Sequence, residues 1–592
     1  MDDQNKNLIL ATALSFIVIL VWFVLFPPPE PTEPTAPETV VAEPLAPVVG
    51  GEADPTTPAL AAEIAVPAAE VASEGPRVQI DTARVIGSIN LTGGRIDDLS
   101  LKDYKETLDA DSDLVRILTP LGAEKPTYAL HGWIPTVGPS IDDVPGRDTP
   151  WQVESGETLS VDNNVVLVWE NNAGLTFRKT FAIDEDFLFT VTQSVENGSG
   201  AEIAMRPYGQ IARHGEPDQI GFFIQHEGVV RMSDGSMEEI DYDKMPDLTT
   251  EEGRIDVEQD GWIAFSDQYW MSALIPTPGH DFRSVARYTN DVYLVETVYP
   301  TMTIAPGASV SADTQFFAGP QEWEVIRSYQ NDLGIDRFLD SIDWGWFFFL
   351  TKPIFAVLHW LSGFIGNMGW SIIALTFMIK ALLLPLAYKS YVSMAKMREL
   401  QPQMAKLKED AGDDREKMQK GMMALYKENK VNPASGCLPI LMQIPIFFSL
   451  YKVIFVTIEL RHAPWIGWIN DLSAPDSSSL FNLFGLFPWD APAPDSFLSL
   501  VFIGILPIVL GISMWLQQKL NPAPTDATQK MIFAWMPWVF MFMLGSFASG
   551  LVLYWIANNT ITFMQQYAIM RSQGFKPDIF GNITGRSKPD EK

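Results

Sequence analysis

A lysine inside an apolar run is the residue best placed to do chemistry in this sequence. Residues 368–388 (MGWSIIALTFMIKALLLPLAY) carry one charge, Lys380, thirteenth of the twenty-one. A cation at that depth of a bilayer costs a few kcal/mol on insertion scales. Its aliphatic stem can snorkel toward headgroups, but three neighbours favour a wet cavity. Thr376 lies one turn earlier on the same helix face. In Ser549–Met570, at ~100° per residue, Tyr554, Trp555, Asn558, Asn559, Thr562, Gln565 and Gln566 fall within about 80° of Thr562. Gln443 stands close to Pro445 in a further apolar run. Such stripes also serve as hydrogen-bonding glue between helices, yet glue seldom brings along an unmatched charge. A second lysine, Lys452, six residues before Ile458, reads as a snorkelling side chain near the end of its run.

The apolar runs contain no Asp, Glu or His. A Ser-His pair, a metal-binding His cluster or a carboxylate proton relay therefore has no parts inside the membrane. The single cysteine, Cys437, excludes an internal disulfide framework and multi-Cys metal clusters, and reads as a small core residue. Neither a metal nor a cofactor is expected. With no carboxylate in its own spans, Lys380 must look to water, lipid phosphate, backbone carbonyls or a visiting acidic segment. Opposite charges near 4 Å gain about 4 kcal/mol at an effective dielectric of 20, which offsets much of a polar peptide's cost of entering the bilayer.

The elements that position these residues follow from hydropathy and charge. Leu8–Phe26 is nineteen residues without a charge, followed directly by Pro27, Pro28 and Pro29, and reads as an uncleaved anchor. Further spans are expected at about 368–388, 437–458, 497–516, 531–547 and 549–570, making six. The 592-residue chain has a net charge of −32, but residues 27–345 hold 55 acids against 19 bases, a net of −36. That balance argues against sequence-specific nucleic-acid binding, which needs clustered cations. The segment 389–435 carries ten Lys+Arg, whereas 459–496 carries only Arg461. The positive-inside rule then places 389–435 and both termini in the cytoplasm, and 27–345 outside.

Residues 1–26 are thus an anchor, and 27–76, with twelve prolines, a linker. Residues 77–340 form a β-sandwich, predicted from β-branched and aromatic stretches such as Asn164–Glu170, Phe187–Val195 and Ser284–Thr297. Its scattered carboxylates read as a solvated surface. The aromatic segment 341–366 reads as an amphipathic helix lying in the interface, with a seventh span as the competing assignment. Residues 389–433 form a two-helix hairpin around Gly412, with Asp413 as cap and Pro402 as a kink in the first arm. Met394, Met397, Met404, Met418, Met422 and Met423 lie on it, as an adaptable apolar surface or as packing between the arms. Residues 573–592 are a basic tail.

Several blocks resemble the YidC/Oxa family of membrane protein insertases: Ser371–Pro385, Ser393–Arg398, Met422–Phe447, Glu459–Pro464 and Ser549–Gln566. The layout is similar to the Gram-negative form with a large periplasmic domain, the strong match covering residues 367–570. The resemblance implies a polytopic α-helical membrane protein whose five-helix core, 367–572, encloses a hydrophilic groove open to the cytoplasm and to lipid. It also implies ATP-free insertion of nascent membrane proteins into the inner membrane, alone or beside the Sec translocon, with no catalytic residue. Lys380 corresponds to the positive groove residue, with Thr376, Gln443, Tyr554, Trp555, Asn558, Asn559 and Thr562 lining the path, and the methionine hairpin receives substrate. Two positions depart from the family pattern: Lys stands where Arg is common, without its planar fork, and Trp555 where Tyr is expected. Ribosome contact through the basic loops is compatible with this reading. A solute or ion transporter using the same polar faces is the alternative, although no duplicated half or acidic coupling site is evident.

Overall fold

The computed structural model describes residues 75–217, 225–412, 414–429, 438–489, 501–520 and 527–574, together with Pro492, Ser496 and Leu498. The N-terminal apolar run, the linker as far as residue 74, Asp413, Cys437 and the basic tail beyond Gly574 lie outside them.

Alternation of side chains builds the first half. Leu175–Ile183 buries every second residue, Leu175, Phe177, Lys179, Phe181 and Ile183, and turns Thr176, Arg178, Thr180 and Ala182 outward, as a strand with one face in a core must. It pairs antiparallel with Leu188–Asn197, which pairs with Ser309–Pro320. These strands belong to a nine-stranded sheet that lies on an eleven-stranded one, in which Thr127–Val137 and Ile203–His214 are central. The inner faces meet in a core containing Phe177, Phe181, Phe189, Trp262 and Phe316, all fully buried. The expected stretch Ser284–Thr297 resolves into a hairpin, Phe282–Thr289 and Val292–Val298. Asn290 and Asp291 turn it with φ of 49° and 61°, the left-handed pair that matches strand twist.

The same alternation places Lys179 on the inward face, 2% exposed. Its ammonium lies 4.6 Å from the Trp151 ring centroid and donates to Gly93 O at 3.1 Å and Gly94 O at 3.4 Å. Burial, reinforced by Arg95, pushes its pKa down to about 7.

Among the described residues nine α-helices follow: α1 Trp323–Asp332, α2 Phe348–Ile365, α3 Met368–Leu382, α4 Leu384–Ala411, α5 Arg415–Glu428, α6 Leu438–Val456, α7 Ile505–Lys519, α8 Ala527–Met543 and α9 Ser549–Ser572. α9 packs against α3, α4 and α7, and α2 against α3 and α6. Large apolar side chains stay exposed on their outer faces, among them Phe377, Leu382, Leu441, Trp535 and Val539, a belt that a watery surroundings would disfavour. By length and hydropathy α2 is the one helix among the described residues that suffices to cross a membrane, and α3 with the first half of α4 suffices if counted as one bent span.

Several sequence expectations are corrected. The span expected at 368–388 breaks at Leu383, where α3 and α4 meet at 66°. Pro385 sits in the first turn of α4, where a missing N–H is tolerated. Lys380 consequently stands in the last turn of α3 rather than in mid-helix, where a cation suits the helix dipole. Pro402 lies inside α4, in the first arm of the pair where it was expected. The cap of α5 is Asp414, whose side chain accepts from Lys417 N at 3.0 Å; Glu416 instead pairs with Lys420.

Lys452 does not snorkel. It is 6% exposed and forms an ion pair with Asp343, on the segment that leaves the sandwich. The Asp343 carboxylate also accepts from His226 N at 2.9 Å and Gly345 N at 3.0 Å. Gly345, at φ +69°, makes room: a Cβ there would lie 2.8 Å from Lys452 Cε. Nearby, Gln268 donates to Phe455 O at 2.9 Å, and Arg461 donates to Lys105 O at 2.6 Å while covering the Trp270 ring. Two turns of α2 face the sandwich: Lys352 pairs with Asp340, Phe355 packs on Trp323 at 5.7 Å, and His359 meets Glu324 at 2.9 Å. Glu459, just past α6, accepts the Trp323 backbone N–H at the start of α1, and burial pushes its pKa up to about 7.

Removing one partner of a buried ion pair strands the other. Asp343→Ala is therefore expected to cost ~3–5 kcal/mol, read as a lower temperature for thermal unfolding and for tryptic release of the sandwich from solubilised protein. The double variant Asp343→Leu with Lys452→Met recovers most of it. Glu459 gives a pH dependence whose sign follows from its raised pKa. The folded chain keeps a proton that the unfolded chain releases above about 4.5, so the stabilisation is complete at low pH and fades as pH rises through about 7. Melting curves across that window are expected to fall for the natural chain and to flatten in Glu459→Gln.

Candidate functional site

The residues singled out by the sequence come from α3, α6 and α9. α3 contributes Lys380, half-buried, whose Nζ donates to Gln443 Oε1 at 3.1 Å. Gln443 on α6 donates in turn through Nε2 to the hydroxyl of Tyr554 on α9. Tyr554 is 2% exposed. Gln565, almost three turns further along α9, donates to the backbone carbonyl of Lys380 at 3.2 Å. Three helices are thus joined by one short polar chain ending in a cation. Among the described residues no carboxylate pairs with Lys380. An ammonium has three N–H donors and one is used here, so the group retains capacity for an anion or water.

The polar stripe of α9 divides between two neighbours. Tyr554 and Gln565 serve α3 and α6, whereas Asn559 donates to Ser513 Oγ on α7 at 3.1 Å and Gln566 to Leu520 O at 3.3 Å. The second pair is interhelical glue of the ordinary kind. Asn558 and Thr562, between the two sets, are buried, and Asn558 Oδ1 and Thr562 Oγ1 find no protein partner. Buried oxygens of this sort call for water or a visiting donor. Thr376 is 1% exposed and its hydroxyl donates back to Ile372 O at 2.7 Å, so it joins the wall rather than the chain of polar contacts. Trp555 stacks on Phe447 of α6, centroids 4.9 Å apart and planes within 14°.

In the α4–α5 pair, Met394, Met397, Met404, Met418 and Met422 are all half-buried and Met423 is 63% exposed. The Tyr426 hydroxyl meets Met404 Sδ at 3.9 Å, and Leu407 fits over Gly421, where a Cβ would lie 2.8 Å from it. The two arms therefore pack on one another through some of the residues that an adaptable surface would use.

Three further buried serines of the helices escaped the sequence. Ser513 could not be matched to Asn559 without knowing that α7 and α9 are neighbours. Ser390 and Ser449 bury hydroxyls without partners on α4 and α6, and small hydroxyls leave no signal in an apolar run. Lys452 was visible, but its partner lies 109 residues away. A cavity of about 420 Å³ also opens on the sandwich where Arg461 reaches it, lined by Arg116, Lys125, Arg213, Arg461, Tyr269 and Trp270 among others. Its arginines are already engaged: Arg116 with Asp98, Arg213 with Asp267, and Arg461 with two backbone carbonyls.

Residues 77–357 match the family profile described as the YidC periplasmic domain, and residues 360–576 the profile described as 60Kd inner membrane protein. The membrane protein insertase YidC of Dinoroseobacter shibae is 63% identical, and that of Ruegeria pomeroyi 62%, each alignment covering 100% of both chains. Among solved structures, an active YidC insertase with its first transmembrane domain resolved is similar at 18% identity and a TM-score of 0.35, over 84% of this chain and 93% of that one. Full-length identity of this order, with both profiles in the right sequence, means that the chain belongs to the YidC family of membrane protein insertases.

Proposed function

We propose that the chain inserts nascent membrane proteins into the bacterial inner membrane, and assists their folding there, by offering a polar foothold partway across the bilayer. The observation that carries this reading is the Lys380–Gln443–Tyr554 chain, in which a neutral amide holds the ammonium without neutralising it. An acidic residue in the extracytoplasmic part of a substrate supplies the missing charge. The buried oxygens of Asn558 and Thr562 bind the water or backbone that accompanies it. Thr376, Trp555 and Asn559 form the surrounding wall, and apolar faces of α6 and α8 guide the new helix into lipid.

In this scheme six spans, counting the N-terminal anchor, leave both termini and the α4–α5 hairpin in the cytoplasm and residues 27–345 in the periplasm. The side-on contacts of α2 with the sandwich support its lying along the interface, since a perpendicular span would leave the sandwich within a turn. The hairpin meets the substrate first, with Met423 and the half-buried methionines adapting to varied apolar segments. Neither a catalytic residue nor nucleotide hydrolysis enters: the driving terms are charge attraction and partition of the apolar segment into lipid. The nascent chain arrives from a ribosome near the basic loops, and the core works alone or beside the Sec translocon.

Replacing Lys380 tests the scheme, with translocation of a short substrate bearing an acidic tail as the readout. Lys380→Ala is expected to lower insertion roughly tenfold, equivalent to about 1.4 kcal/mol, Lys380→Glu more, and Lys380→Arg little. A substrate with a neutral tail should be indifferent. Full insertion of the acidic substrate by Lys380→Ala overturns the charge mechanism while leaving the fold untouched.

A further inference from the structure

Between α6 and α7 the chain makes a compact loop whose tip, Ser479–Trp489 (SLFNLFGLFPW), contains no charged residue. Its apolar side chains point out rather than in: Leu486 is 77% exposed and Trp489 47%, and Leu480, Phe481, Leu483, Phe484 and Phe487 are each more than a third exposed. The loop is nevertheless well built. Phe484 N donates to Ser479 O at 2.8 Å, Phe487 N to Asn482 O at 3.0 Å, Gly485 N to the Asn482 side chain at 3.0 Å and Trp489 Nε1 to Phe481 O at 3.1 Å. Phe487 stacks on Trp489 with centroids 4.6 Å apart. Leu483 and Phe484 both take positive φ, 48° and 58°, a conformation that bulky residues rarely adopt. A backbone that satisfies its own polar groups while presenting successive aromatic and aliphatic side chains is organised for an apolar neighbour.

Position identifies that neighbour. The same connection touches the sandwich, through Arg461 on the carbonyls of Lys105 and Glu106 and through the bond between Tyr269 and Ser473. The tip is therefore on the sandwich side of the helices. The helices it joins carry exposed Phe448, Val509 and Ile512, part of the apolar belt. On the sandwich, by contrast, exposed large apolar residues such as Ile86, Leu108 and Val161 are scattered singly. Aromatic residues gather where acyl chains give way to headgroups. We infer that residues 479–489 are a second interfacial anchor, independent of α2, that inserts its Leu–Phe tip into the leaflet facing the sandwich and holds Trp489 at headgroup level. This placement does not depend on the insertase reading.

The lone cysteine makes the test direct. In full-length protein with Cys437→Ser, Leu486→Cys and, separately, Ser477→Cys are labelled with an environment-sensitive fluorophore and placed in nanodiscs of phosphatidylethanolamine and phosphatidylglycerol. The label at 486 is expected to emit at shorter wavelength, lose intensity to lipids carrying a nitroxide near the top of the acyl chain, and resist aqueous iodide. The label at 477 should behave in the opposite way. Phe484→Cys gives a second tip position should Leu486→Cys fold poorly. Quenching of the tip labels by iodide overturns the inference in favour of a solvent-facing loop, and protection from both quenchers overturns it in favour of a protein cover.

Discussion

A lysine held by a neutral amide, with no carboxylate paired to it among the described residues, is the interaction around which the helical half is arranged. The two lysines within apolar runs show the difference that pairing makes. Lys452 is buried at the sandwich end of α6 and matched by Asp343, whose other lone pairs are taken by backbone N–H groups; it is a structural tie. Lys380 donates to one amide oxygen and, among the described residues, to nothing anionic. An unpaired cation in low dielectric is costly unless water or a ligand reaches it. Its half-exposed state and the unpartnered oxygens on the neighbouring turns of α9 are the features that water access requires.

The rest of the helical half serves that arrangement. The break at Leu383 brings Lys380 to a helix end, where its charge is favourable to the dipole and where the adjoining α4 turns away. Glue contacts from Asn559 and Gln566 to α7 fix the rotation of α9, so that Tyr554 and Gln565 must face α3 and α6. The sandwich stays apart from this site. It meets the core at Asp343, Gln268, Lys105 and Trp323, all near the opposite end of α6 from Gln443. A domain of this size joined at one end can steady the core without obstructing the polar path.

Much of this was legible because it follows from local pattern. β-Branched and aromatic stretches between turn residues gave the sandwich, apolar runs gave α3, α6, α7, α8 and α9, and the polar stripe of α9 pointed toward its partners. What was illegible depended on pairing across distance or on small departures from a straight helix. A lysine six residues from the end of an apolar run looks the same whether it snorkels or meets an aspartate from another segment. Pro385 and Pro402 look alike in sequence, but one falls within two residues of a helix start and the other in a continuous helix, so only the first stands beside a break between helices. Thr376 was placed on the right face, yet its hydroxyl had a carbonyl within reach on its own helix, the competing bond that Thr commonly takes.

The identity of Gln443 then explains why a lysine can sit there at all. A glutamate would hold the ammonium more tightly, but it would neutralise its charge. An aliphatic residue would leave the ammonium free to swing out toward headgroups. An amide does neither: its oxygen orients the lysine, its nitrogen is satisfied by the Tyr554 hydroxyl, and its charge is zero at every pH. The absence of acidic residues from the apolar runs is the same requirement written across the whole core, because one carboxylate within reach would convert Lys380 into a second Lys452.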